Sequence, residues 1–141
     1  MKIVIMLLSS LVFVASGCSQ GTSDQKQKPS SETTQTETGV YKTVSPAEFE
    51  EAMKTKGVQL VDVRTPGECD NGVIEGAENI NIGDSDFQQQ LEKLDKDKPV
   101  LVYCKSGGRS ARAMNMMKDK GFEKVLNLDG GYGAWVERHR K

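Results

Sequence analysis

The stretch Pro99-Val100-Leu101-Val102-Tyr103-Cys104-Lys105-Ser106-Gly107-Gly108-Arg109-Ser110 decides how this chain folds. Its first half is a short, unbroken apolar run, the pattern of a strand buried on both faces. Its second half is polar, with two glycines and two cations, and a helical pattern follows. From Ser110 to Lys120, Ala111, Met114 and Met117 fall on one stripe and Gly121 supplies a stop. A cysteine therefore stands between a buried strand and a helix start. Backbone N–H groups of such a loop point at its centre, where they and the helix dipole favour a thiolate or a bound anion. Lys105 and Arg109 add positive charge. The expectation is a thiol of depressed pKa beside a pocket for a small sulfur oxyanion, with Arg109 forking onto two oxygens and Lys105 acting as a point charge. The plainer alternative for Cys104 is a small buried hydrophobe at a strand end.

Working outward, Ser45-Pro46-Ala47-Glu48 supplies an N-cap, a proline at the first helical position and a capping-box glutamate. Phe49, Ala52 and Met53 give that helix an apolar face before Gly57. Gln59 to Val63 reads as a buried strand. Asp86-Phe87 opens a second helical pattern through Leu91 and Leu94, and Lys124 to Leu128 reads as a further strand. Strands alternating with helices predict an α/β fold, a single domain whose parallel sheet is flanked by helices on both faces. Its ligand site belongs at the carboxyl ends of the strands.

The 141 residues leave room for one compact domain. Lys and Arg total 19 against 20 Asp and Glu without a basic run, so no nucleic-acid partner is expected. One histidine and three scattered cysteines offer no C-x-x-C or H-x-x-x-H pair, and neither a metal site nor a cofactor is expected. That histidine, His139, lies in the basic tail and is expected to be solvated. Tyr132 and Trp135 are expected as core and cap residues of a last helix. Residues 1–17 read as a signal peptide, with one lysine and an apolar run too short to span a bilayer comfortably. The run ends Ala15-Ser16-Gly17-Cys18, which resembles the lipobox of bacterial lipoproteins, with Ala15 where Leu is commoner. The resemblance implies cleavage before Cys18 and acylation of its sulfur, and hence an extracytoplasmic protein of the cell envelope held to a membrane through Cys18. An ordinary secretory peptide leaving Cys18 free is the alternative. Residues 18–39 then form a polar, disordered tether, its 21 residues after Cys18 reaching roughly 25 Å, and residues 40–141 form the folded domain.

Three separated segments resemble the single-domain rhodanese sulfurtransferases. They are the loop Cys104 to Ser110; Asp62-Val63-Arg64 followed by Glu68, Gly72, Ile74, Gly76, Ala77, Asn79 and Ile80; and Gly130-Gly131-Tyr132-Gly133-Ala134-Trp135. In that family the loop cysteine takes the outer sulfur of a donor such as thiosulfate as a persulfide and passes it to cyanide or a thiol. The resemblance implies that Cys104 is the nucleophile and that Lys105, Ser106, Gly107, Gly108 and Arg109 bind the donor and steady the persulfide. Asp62 and Arg64 would stand beside the loop, or form only an ion pair. The expected partners are a thiosulfate, persulfide or polysulfide donor and a thiol or cyanide acceptor, served by a monomer.

The chain departs from the family in having Cys69 where an aromatic is usual and Val73 where a histidine is usual. Cys69 is expected to be a small buried replacement, or else a resolving thiol for Cys104. A cysteine phosphatase is disfavoured because the loop is one residue shorter between Cys104 and Arg109 than that chemistry requires, and Ser110 stands where its arginine would fall. A binding or sensing module on the same fold, and a redox protein pairing Cys104 with Cys69, remain as alternatives.

Overall fold

The computed structural model describes residues 39–140. The signal peptide, Cys18 and all but the last residue of the tether lie outside the described residues. Five strands, β1 (Val40–Val44), β2 (Gln59–Asp62), β3 (Glu78–Asn79), β4 (Val100–Tyr103) and β5 (Lys124–Leu128), alternate with five helices. These are α1 (Pro46–Met53), α2 (Pro66–Cys69), α3 (Phe87–Leu91), α4 (Gly108–Asp119) and α5 (Gly131–His139). The strands form one sheet in the order β1-β5-β4-β2-β3, and every pairing is parallel. The α/β fold expected from the alternation, a parallel sheet flanked by helices on both faces, is the fold observed.

Strand side chains alternate between faces, and the sheet accordingly divides two cores. Val61, Val100, Val102 and Val125 pack with Phe87 and Leu91 of α3 and Ala113 and Met117 of α4. Leu60, Leu101, Tyr103 and Leu126 pack on the other face with Phe49 of α1 and the partly buried Tyr132 and Trp135 of α5. The register of β4 decides where Cys104 goes. It follows Val100 and Val102 in the alternation and belongs to the core under α4.

Helix α1 starts as its sequence dictates. The Glu48 N–H donates to Ser45 Oγ, and the Ser45 N–H donates to the Glu48 carboxylate at 2.9 Å. Helix α4 corrects the expectation twice. It begins at Gly108 rather than Ser110, which places Gly108 and Arg109 in its first turn. Its buried stripe is Ser110, Ala113 and Met117, while Ala111 and Met114 are only partly covered. The rotation has a cause in the site, since it turns the Ser110 hydroxyl toward Cys104.

Candidate functional site

The loops after β2, β4 and β5 meet at the carboxyl ends of the central strands. Cys104 lies at the end of β4 and is 1% exposed. Gly107 adopts φ 97°, a left-handed conformation open to glycine, and the turn aims its N–H at the Cys104 sulfur, 3.1 Å away. The Ser110 hydroxyl stands 3.4 Å from that sulfur and 3.0 Å from the Gly107 carbonyl oxygen. It has one proton for the two acceptors. The same carbonyl also accepts from the Ala111 N–H at 3.0 Å and from Asn127 Nδ2 at 3.3 Å, so the Ser110 proton can turn to a thiolate without stripping it of partners.

Burial alone would push the Cys104 thiol up. The Ser110 hydroxyl and the N–H groups of Ser110, Ser106 and Gly107 outweigh it, and the thiol lies below its ordinary value. The sequence credited the loop N–H groups together with Lys105 and Arg109, and did not include the Ser110 hydroxyl. The hydrogen bonds lead, that hydroxyl first.

Below the loop, α5 closes on its backbone. The Tyr132 N–H donates to the Cys104 carbonyl at 2.7 Å and the Gly133 N–H to the Lys105 carbonyl at 3.1 Å. A Cβ on Gly131 would collide with the Cys104 carbonyl oxygen and stand 2.7 Å from the Ser106 nitrogen, so only glycine fits this approach. That is the physical content of the Gly130-Gly131 pair.

Arg109 does not point an empty fork at the site. Its two terminal nitrogens donate to the two oxygens of Glu68, at 2.7 and 2.6 Å. Glu68 is held in turn by the N–H and hydroxyl of Thr65, the capping box of α2. Its carboxyl is pulled down to about 2, first by Arg109 and then by Thr65. Thr65-Pro66-Gly67-Glu68 repeats the pattern Ser45-Pro46-Ala47-Glu48 and could have been read as a helix start.

Asp62 and Arg64 form a buried ion pair at 2.6 Å, 0% and 3% exposed. Arg64 also donates to the carbonyls of Glu68 and Gly72 and lies 4.2 Å from the centre of the Tyr132 ring. Burial opposes its charge and Asp62 more than restores it, so Arg64 stays a cation. The pair thus braces α2 and α5 as well as neutralising itself. The Cys69 sulfur, at the end of α2, sits 3.5 Å from an Asp62 oxygen, and burial with that negative charge pushes the thiol up. A raised thiol suits a poor nucleophile. His139 stacks on Trp135 and approaches Glu50, near the end of α5.

The sequence singled out Cys104, Lys105, Ser106, Gly107, Gly108, Arg109, Asp62 and Arg64, and the fold brings all of them to this end of the sheet. It missed Glu68 and Ser110 as working parts, although both were quoted. It missed Asn127, a 2% exposed polar residue on β5 whose Nδ2 also donates to Thr43 and whose Oδ1 has no partner among the described residues. A polar residue within the apolar run Val125-Leu126-Asn127-Leu128 was the available signal.

A family model for the rhodanese-like domain matches residues 45–138. The chain is 34% identical over 97 residues to the thiosulfate sulfurtransferase GlpE of Shewanella oneidensis, covering 69% of this chain and 94% of that one. It is 39% identical over 85 residues to a sulfurtransferase of Allochromatium vinosum, covering 60% and 77%. Among solved structures, a rhodanese-related protein of Thermoplasma volcanium superposes with a TM-score of 0.61 at 32% identity, covering 70% and 93%. With the loop, the glycine approach and the strand order in place, the chain belongs to the rhodanese-like domain family.

Proposed function

We propose that this domain is a sulfurtransferase that carries a sulfane sulfur as a persulfide on Cys104. The observation that carries the reading is the set of donors around one buried sulfur: the Gly107 N–H at 3.1 Å and the Ser110 hydroxyl at 3.4 Å, at the start of a helix. They favour a thiolate at neutral pH, where an ordinary cysteine is mostly protonated. With thiosulfate, the thiolate bonds to the outer sulfur, the sulfur–sulfur bond of the donor breaks, and sulfite leaves with the electron pair. Lys105 and the loop N–H groups offer contacts for the donor oxygens, and the same N–H groups offset the charge of the persulfide. The relatives named thiosulfate sulfurtransferase support this donor class. Intact-mass measurement after incubation with thiosulfate should show one added sulfur that cyanide removes, and Cys104→Ser should gain none. Sulfur gained by Cys104→Ser, or by no protein from any sulfane donor, would sink the reading.

The domain is further proposed to work outside the cytoplasm, as a monomer tethered through lipid on Cys18. The support is the Ala15-Ser16-Gly17-Cys18 sequence behind a short apolar run. Fatty-acid labelling of the wild type but not of Cys18→Ala is the expected result, and an unlabelled, freely soluble wild type contradicts it.

A further inference from the structure

Beside the nucleophile loop lies a cavity of about 310 Å³ lined by Arg64, Glu68, Asn71, Lys105, Tyr132 and Gly133. At about 30 Å³ per water-sized group it holds about ten non-hydrogen atoms, twice what thiosulfate would fill. Its charges are mostly spent. Arg64 is neutralised by Asp62, and both oxygens of Glu68 are taken by Arg109. The Lys105 ammonium has no ion pair or hydrogen bond among the described residues, and it is exposed. The Tyr132 ring, held by the Arg64 guanidinium 4.2 Å away, adds an apolar wall. The wall and floor belong to the nucleophile's own backbone frame, since Tyr132 and Gly133 donate to the carbonyls of Cys104 and Lys105.

We infer that this cavity is the subsite for the sulfur acceptor and that it selects a low-molecular-weight organic thiol bearing a carboxylate. The inference rests on the persulfide reading of Cys104 and names its acceptor. The carboxylate meets Lys105 and the carbon body lies against Tyr132, which leaves the thiol directed at the loop. The acceptor thiolate bonds to the outer sulfur of the Cys104 persulfide, and the bond from that sulfur to Cys104 breaks. Its electron pair stays on Cys104 as a thiolate, and any proton on the outer sulfur leaves with the acceptor persulfide. No external oxidant or reductant is needed.

The test uses protein first loaded from thiosulfate or, for variants that load slowly, from polysulfide, until intact mass shows the same load in each. It is then discharged in single turnovers by 3-mercaptopropionate, 2-mercaptoethanol or cysteamine, which share a chain length and differ in charge. Rates are compared per thiolate. The anionic thiol should be roughly three- to fivefold faster than the neutral one, with the cation slowest. Lys105→Glu should reverse that order, a change of sign that loss of folding cannot imitate. Gly133→Leu should narrow the cavity, because Gly133 lines it and a Cβ there makes only ordinary contact, 3.5 Å from the Lys105 carbonyl oxygen. It should slow 3-mercaptopropionate and spare cyanide, which is too small to need the space. If the protein loads but all three thiols discharge it alike, or Lys105→Glu leaves the order unchanged, the acceptor subsite is wrong while the sulfur carrier stands. If the wild type never loads, the carrier reading itself has failed, and the subsite with it.

Discussion

Helices α1 and α4 begin in opposite ways. The first turn of α1 is sealed by its own side chains: Ser45 caps it, Pro46 fills the position that needs no N–H, and Glu48 folds back. The first turn of α4 has a glycine at the cap, no side-chain cap bond and no acidic residue. Its N–H groups are left for the Cys104 sulfur. Between the two stands α2, whose sequence copies the α1 cap but whose glutamate serves two masters. Glu68 closes its own turn and also grips Arg109, on the first turn of α4. A helix start closed by its own carboxylate is structure; one left open beside a thiol is equipment for binding negative charge.

Closing the open start should therefore slow sulfur loading without harming the fold. Gly108 is exposed and a Cβ there meets nothing within 4 Å, so Gly108→Asp puts an acid on the first turn of α4 at no steric cost. Stability should stay level or rise by about 0.5–1 kcal/mol, because an acid suits a helix N-terminus and replaces a glycine. Persulfide formation from thiosulfate should fall by at least about tenfold, or about 1.4 kcal/mol in the barrier. Urea denaturation and stopped loading measured by mass would check both halves. A variant that loads as fast as the wild type would mean that the open helix start does not matter.

A smaller change removes one donor from the sulfur. Ser110→Ala takes away the hydroxyl 3.4 Å from Cys104 and leaves the Gly107 carbonyl its bonds from Ala111 and Asn127. The Cys104 thiol is now held low by these hydrogen bonds, so its pKa should move up. The alkylation rate of Cys104 should then rise with pH through a midpoint higher than in the wild type. The stability cost should be about 1 kcal/mol. An unmoved midpoint would assign the low thiol to the backbone N–H groups alone.

The sequence made the central strands plain and the edges obscure, for a physical reason. β2, β4 and β5 are covered on both faces and centre on the apolar residues Leu60-Val61, Val100 to Val102 and Val125-Leu126, whereas β1 carries the exposed Lys42 and Thr43 and β3 is two exposed residues, Glu78 and Asn79. Edge strands like these are fixed by pairing with distant partners, Val40 with Lys124 and Asp62 with Asn79, which no local pattern announces. The site divides in the same way. Cys104, its glycines and its cations lie within one loop and could be read together. The Glu68–Arg109 bond joins residues 41 positions apart, and Asn127 reaches Gly107 across 20. The fork expected to be empty for a donor was filled because α2 delivers a carboxylate to it.

The last comparison sets the two capping glutamates against each other, and it has the smallest effects. Both carboxyls lie below their ordinary value, Glu48 first through Ser45 and Glu68 first through Arg109, the latter at about 2. A carboxyl whose folded pKa is depressed contributes stability above its unfolded value, and the contribution is lost as pH falls through the folded one. The Glu68 contribution should therefore be whole above pH 4.5 and disappear toward pH 2. Because Arg109 and Glu68 are each about a third exposed, at 32% and 28%, solvent screening should keep it below about 1 kcal/mol. Glu68→Gln should lose that increment at pH 6 and match the wild type near pH 2, measured by denaturation across the range. Because the substitution also releases the Arg109 fork, the KM for thiosulfate should fall a few-fold. Glu48→Gln, on an exposed cap whose carboxylate bonds only to Ser45 of its own turn, should leave KM unchanged. If both variants shift KM alike, or neither does, then Glu68 is only a cap, and the likeness of the two motifs in sequence extends to their function.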